Sequence, residues 1–147
     1  IESLGIYTCD QLIKKAILII RTKFDKFREA IVNSINLTSA KYKFICNKSL
    51  INVPYAYDIT LTNEDYTIGK ILEYVLHKNM TKYELGYVGF MKKHPHDTYS
   101  IIRIILDAES LSTDDKLKIK AQKVKIKTII SNAYEECIKI LDDINFD

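Results

Sequence analysis

His94, His96 and Asp97 fall within one short stretch, KKHPHD, and their types invite chemistry most directly. Imidazole and carboxylate are transition-metal ligands. Side chains at i and i+2 in a loop are able to chelate. Two nitrogens and one carboxylate so close together seldom close a site without a ligand from elsewhere. A small metal-dependent enzyme, an exposed hairpin tip and a tip touching a neighbouring subunit are the competing readings, and no metal is assigned.

A second candidate is KLKIKAQKVKIK, Lys116 to Lys127, with six lysines and no acid. Such a run could track phosphates and would then bind with steep salt dependence. It also fits a solvated face. With the ten tyrosines it sustains an alternative function, a small basic nucleic-acid-binding module. The carboxylate pairs Glu135/Glu136 and Asp142/Asp143 read as solvation at an exposed helix end. Cys9, Cys46 and Cys137 are odd in number and far apart, which favours free thiols in a reducing compartment over a disulfide scaffold or structural zinc site. No P-loop, GxSxG or Cys–His spacing names a nucleophile, so no catalytic residue is assigned.

The elements that would position these groups follow from periodicity. Thr8 and Gln11 have capping-box spacing, and Tyr7 with Leu12 fits a hydrophobic staple. Ile13, Ile17, Ile20, Phe24, Phe27 and Ile31 then recur at threes and fours, one stripe of a long helix. A helix of that length is marginal alone in water, so the stripe needs a partner. It serves an ordinary core or completes an interface with another subunit. On the prediction that it packs on the later helices of this chain, a charge at Ile17 would be buried and cost ~3–5 kcal/mol.

NSINLTSA, Asn33 to Ala40, lacks strong periodicity and reads as a join. Tyr42, Phe44 and Cys46 alternate with polar or outward positions, a short strand, with Asn47, Lys48 and Ser49 as its turn. Tyr55, Tyr57, Ile59 and Leu61 alternate likewise. Ile68, Ile71, Leu72, Val75 and Leu76 then take helical spacing, so Asn63 to Val75 is a strand-to-helix joint, with Asp65 or Thr67 as cap. Gly69 costs roughly 1 kcal/mol there against Ala, which predicts close approach of another backbone. Tyr83 to Met91 reads as a strand bent or bulged at Gly86 and Gly89. Thr98 to Asp107 reads as a strand covered on both faces. Ser112 and Asp115 open a last helix to Asp142, with Leu117, Ala121, Val124, Ile130, Ala133, Cys137, Leu141 and Ile144 as its stripe, widened by Ile126 and Ile129.

Totals bound the answer. The chain has 147 residues, enough for one core with an added arm, and no membrane-length apolar run. Ile1 in place of Met predicts a fragment or processed product. A net charge of +3 permits nucleic-acid contact without arguing for it, and the preference for Lys over Arg weighs against base readout. The fold class expected is α+β: a small, mostly antiparallel sheet, a central helix and a long C-terminal helix, preceded by an N-terminal helical arm.

EDYTIGKILEYVLHKN, Glu64 to Asn79, resembles the signature of the small assembly subunit of archaeal and eukaryotic RNA polymerases, a family related to the N-terminal dimerisation domain of the bacterial alpha subunit. Glu64, Asp65, Thr67 and Gly69 carry the match. Gly89–Phe90, His94–Pro95 and Ile102–Arg103–Ile104 fit the order that follows in that family. Tyr66, where the family usually has His, Lys70, where it often has Asn, and a short insertion before Gly89 depart from it. Residues 1–27, with Glu2, Ser3 and Gly5, are similar to the closing segment of the larger assembly partner. The resemblance therefore implies a fusion, as in large DNA viruses of the asfarvirus type: residues 1–35 from the larger partner's tail, residues 36–147 the smaller subunit.

What the resemblance implies is a non-catalytic scaffold, a dimerisation platform for the two large catalytic subunits of a DNA-directed RNA polymerase in transcription. Its assembly interface would comprise Ile13, Ile17, Ile20, Phe24, Phe27, Ile68, Gly69, Ile71, Leu72, Val75, Val124, Ile130, Ala133, Cys137 and Leu141. Lys92, Lys93 and His96 would contact a large subunit. Expected partners are the large and other polymerase subunits and a preceding part of the same protein, with DNA met only through the complex. No cofactor, membrane or small-molecule substrate is expected. The compartment would be the cytoplasm, in viral factory and virion, for a viral protein, and otherwise the nucleus.

Overall fold

The stripe from Ile13 to Ile31 forms helix α1 (Cys9–Val32), opened by the predicted capping box. The Gln11 amide donates to Thr8 Oγ1 at 3.3 Å, and the Thr8 amide to Gln11 Oε1 at 3.0 Å. The computed structural model describes residues 2–32, 44–112 and 119–144. The join expected at Asn33 to Ala40 and the helix start expected near Thr113 lie outside these residues.

Strands β1 (Phe44–Lys48), β2 (Ala56–Thr62), β3 (Leu85–Met91) and β4 (Tyr99–Leu106) form one antiparallel sheet in the order β1-β2-β4-β3. Helix α2 (Tyr66–Lys78) links β2 to β3, and α3 (Ile119–Asp142) follows β4. Strands β2 and β3 run the same way with β4 between them, a split β–α–β unit. The α+β class read from the sequence is the fold observed. Among the described residues no helix is long and apolar enough to cross a membrane.

Register explains which face is buried. Tyr57 pairs with Ile104, Ile59 with Ile102 and Leu61 with Ser100. All six are buried, on the face that the helices cover. The predicted bulge in β3 occurs at Gly86, where the register with β4 shifts between Leu85 and Tyr87. Two details differ from the sequence reading. Strand β1 continues through Asn47 and Lys48, because their partners Asp58 and Tyr57 extend the ladder. Strand β4 is fully covered on one face only: Arg103 and Ile105, on the other, are half-buried.

The core unites the three helices of the described residues with the sheet. Phe24, Phe27 and Ile31 of α1 join Leu72 and Leu76 of α2, Ile130 and Cys137 of α3, and Ile59 and Ile102 of the sheet in one cluster. Each such side chain contributes ~1.5–3 kcal/mol by leaving water. The N-terminal helical arm, through Ile31, packs on the later helices as its stripe predicts.

Candidate functional site

The helix interface expected from the stripes is built around Tyr134 of α3. Its ring meets Phe24 edge-on, with centroids 4.9 Å apart, and stacks on Phe27 at 5.4 Å. Its hydroxyl donates to the Phe24 carbonyl oxygen. Burial pushes the Tyr134 phenol well above its ordinary range, so the group stays a neutral donor. Arg21 pairs with Asp142, and Arg28 with Glu135 at 3.5 Å. Seven residues forward in α1 answers seven back in α3, so the two helices run antiparallel at matched pitch. Asp142 ends α3, and the first half of α1 runs past it. Leu18 and Ile19 there are exposed.

The interface residues therefore divide. Phe24, Phe27, Ile68, Gly69, Leu72, Val75, Ile130, Ala133, Cys137 and Leu141 are buried, while Ile13, Ile17, Ile20 and Ile71 are half-buried. A charge at Ile17 is not enclosed, so the heavy cost expected there belongs to Phe24. Val124 lies off the buried face of α3 and is 58 % exposed. The buried face of α3 starts at Gln122 and passes through Ile126, Ile129 and Ile130. Gln122 turns inward because its Oε1 accepts the Tyr57 hydroxyl at 2.6 Å, a buried polar contact that apolar periodicity does not register.

The strand-to-helix joint is pinned from several sides. Asn63 takes a left-handed φ of 59°, which Asn tolerates, and its amide donates to the Thr98 carbonyl at 2.7 Å. Ser100 Oγ donates to the Glu64 carbonyl at 2.9 Å. The Glu64 side chain is buried, with Oε2 accepting from Lys23 Nζ of α1 at 2.9 Å and Oε1 without a partner among the described residues. Asp65 holds the N-cap position, as expected, without a side-chain cap bond, and Thr67 is exposed in the first turn. Gly69 admits a side chain rather than a backbone: a Cβ there would lie 1.9 Å from the Phe90 ring. Glu73, one turn on, accepts the Phe90 amide at 2.8 Å. Desolvation opposes the Glu73 charge, but bonds from Lys70 and the Phe90 amide prevail and lower its pKa.

Of the carboxylates read as solvation, Glu135 and Asp142 pair with α1 and Glu136 binds the turn after α2, while Asp143 is exposed. Glu136 accepts from Asn79 Nδ2 at 2.8 Å, from the Tyr83 hydroxyl at 2.9 Å and from Lys82. Lys82 above all holds its carboxyl below the usual range. Sequence spacing offered no signal for this hub, since its partners lie 53 to 57 residues away. Tyr134 is not in the stripe read from the sequence, although its spacing, four from Ile130 and three from Cys137, fits that face.

The residues with metal-binding types do not assemble. His94 Nδ1 accepts the His96 amide at 3.2 Å, and Asp97 Oδ2 accepts the His94 amide at 3.2 Å, so both atoms serve the turn. Among the described residues no group of three ligands could hold a metal ion. His94, Pro95, His96 and Lys93 are exposed at the hairpin tip, Lys92 is half-buried, and Gly89 is buried under the Tyr87 ring. In the lysine run, Lys125 pairs with Glu84 and Lys123 is half-buried. Lys116 and Lys118 lie outside the described residues. No protein-family model and no curated protein matches the chain.

Proposed function

We propose that this chain is a non-catalytic assembly unit of a DNA-directed RNA polymerase, a platform on which the two large catalytic subunits meet. The observation that supports it is the convergence of motif and structure at one joint. EDYTIGKILEYVLHKN runs from the turn after β2 through α2, and buries Glu64, Ile68, Gly69, Leu72, Val75 and Leu76. Helix α1, from the segment similar to the larger partner, packs antiparallel on α3 and ties to that joint through Lys23 and Glu64. One chain thus supplies what the two-subunit interface of that family would need.

The test is affinity capture of the full-length tagged protein from the cell that produces it, with mass spectrometry of the recovered chains. Recovery of two large polymerase subunits supports the assembly role. Capture of nucleic acid without them, released by salt, moves the function to the basic nucleic-acid-binding alternative.

A further inference from the structure

Among the described residues the sheet has two edges, β1 and β3. An edge strand presents amides and carbonyls to any other extended chain, and charged side chains or proline ordinarily blunt it. Strand β1 carries exposed Lys48. Strand β3 reads LGYVGFM, with no charge and no proline. Uncharged segments of this length without proline pair readily with their own copies.

A different device stands at this edge. The Phe90 amide donates to Glu73 Oε1 of α2 at 2.8 Å. In an antiparallel ladder successive residues alternate between bonding the neighbouring strand and facing away from it. The Phe90 amide therefore points away from β4, and so does the Val88 amide two residues before it. The Glu73 carboxylate occupies the place where a fifth strand's carbonyl would accept. Lys70 Nζ holds its other oxygen, Oε2, at 2.5 Å. The Phe90 ring is gripped as well. It fills the space at Gly69, Tyr66 meets it edge-on at 5.4 Å, and Lys70 Nζ lies 5.6 Å from its centroid. Four side-chain positions over two turns of α2 close on one residue of the edge.

We propose that Glu73 is a latch on the β3 edge, and that without it β3 pairs antiparallel with β3 of a second copy. The strand's own sequence selects that occupant. Symmetric pairing about Val88 sets Val88 against Val88 and the Phe90 ring against Gly86, and it opposes no two charges. With the latch closed, the pairing loses the Phe90 amide as a donor and meets the side chains of Glu73 and Lys70. The contact is thus inhibitory: it satisfies one donor of the edge and keeps a strand off the rest. This role is independent of the polymerase reading.

The experiment compares the full-length protein with Glu73→Gln, Glu73→Ala, Glu73→Met and the double variant Glu73→Ala/Tyr87→Lys. Hydrogen exchange resolved to the Phe90 amide, at the lowest concentration, reads the latch. Sedimentation velocity over a range of concentrations reads pairing, and thermal unfolding checks that each variant is folded. Glu73→Gln keeps a carbonyl acceptor and should behave as wild type. Glu73→Ala should exchange the Phe90 amide ~10-fold faster and associate beyond the wild-type state as concentration rises. Glu73→Met keeps volume and helix propensity without an acceptor, and carries the same expectation should the alanine variant fail to fold. Tyr87 is exposed on the edge strand, so a lysine there sets like charges against each other and should return the double variant to the wild-type state. Unchanged Phe90 exchange in the alanine and methionine variants overturns the latch. Faster exchange without association overturns the pairing. Association that Tyr87→Lys does not reverse runs through another surface and overturns it as well.

Discussion

A Cβ added to Gly69 would fall 1.9 Å from Cε2 of Phe90. The central helix therefore meets its sheet through a glycine into which an aromatic ring sinks. The ring is held by Tyr66, 5.4 Å away and edge-on, while Glu73 holds the Phe90 amide. Gly69→Ala gains up to ~1 kcal/mol of helix propensity but displaces a packed ring at ~1–3 kcal/mol. A net loss of about 1–2 kcal/mol is expected in urea unfolding. In a double-mutant cycle with Phe90→Leu the two changes should couple. A more stable Gly69→Ala protein would mean that the ring moves aside freely.

Burial along α1 is graded, and the cost of truncation should follow it. Phe24→Ala removes a fully buried ring and its edge contact with Tyr134, for ~3–5 kcal/mol. Ile17→Ala, at a half-buried position, should cost about 1 kcal/mol. Equal losses in chemical denaturation would contradict the gradient and the way α1 is seated.

Tyr57→Phe tests the polar bond that sets the phase of α3. The hydroxyl lies 2.6 Å from Gln122 Oε1 in a buried setting, and its loss leaves that oxygen without this donor. The expected penalty is ~1–2 kcal/mol, larger than at an exposed tyrosine such as Tyr74. If Tyr57→Phe and Tyr74→Phe unfold at the same midpoint, the bond contributes nothing.

Acid should weaken the fold through Asp58 and Glu136. The Arg103 hydrogen bonds lead in holding the Asp58 carboxyl below its ordinary range, as Lys82 does for Glu136. A carboxyl whose folded pKa is depressed stabilises fully above its unfolded pKa, about 4, and loses that contribution as pH falls through the folded value. The urea midpoint should be level above about pH 5 and drop steadily below pH 4. Asp58→Asn should start lower at pH 7 and lose less on acidification. An unchanged acid dependence in that variant would show that Arg103 does not keep the proton off.

Thiol reactivity reports the same burial. Desolvation leads in pushing Cys46 up to about 11 and Cys137 up to about 12. The thiolate is the nucleophile, so both stay unreactive near pH 8. Iodoacetamide should leave Cys137 unlabelled in the native protein and modify it fully in urea, as peptide mass spectrometry would show. Rapid native labelling of Cys137 would place α3 elsewhere.

Local pattern determined much of this protein. The stripe from Ile13 to Ile31 specified α1 and its buried side, and Thr8 with Gln11 specified its start. Alternation at Tyr57, Ile59 and Leu61 specified the face of β2, and Gly86 marked the bulge. These are legible because helix and strand periods, caps and bulges depend on neighbours in the chain. The tertiary structure alone decided which partners those elements meet. Aliphatic residues lie on both sides of the first half of α3, so its period fits either phase; the bond between Tyr57 and Gln122 turns Val124 outward. The ring that fills the space at Gly69, the three donors on Glu136 and the Arg103–Asp58 pair join residues distant in sequence. Such contacts depend on how layers stack and strands register, and no local spacing encodes them.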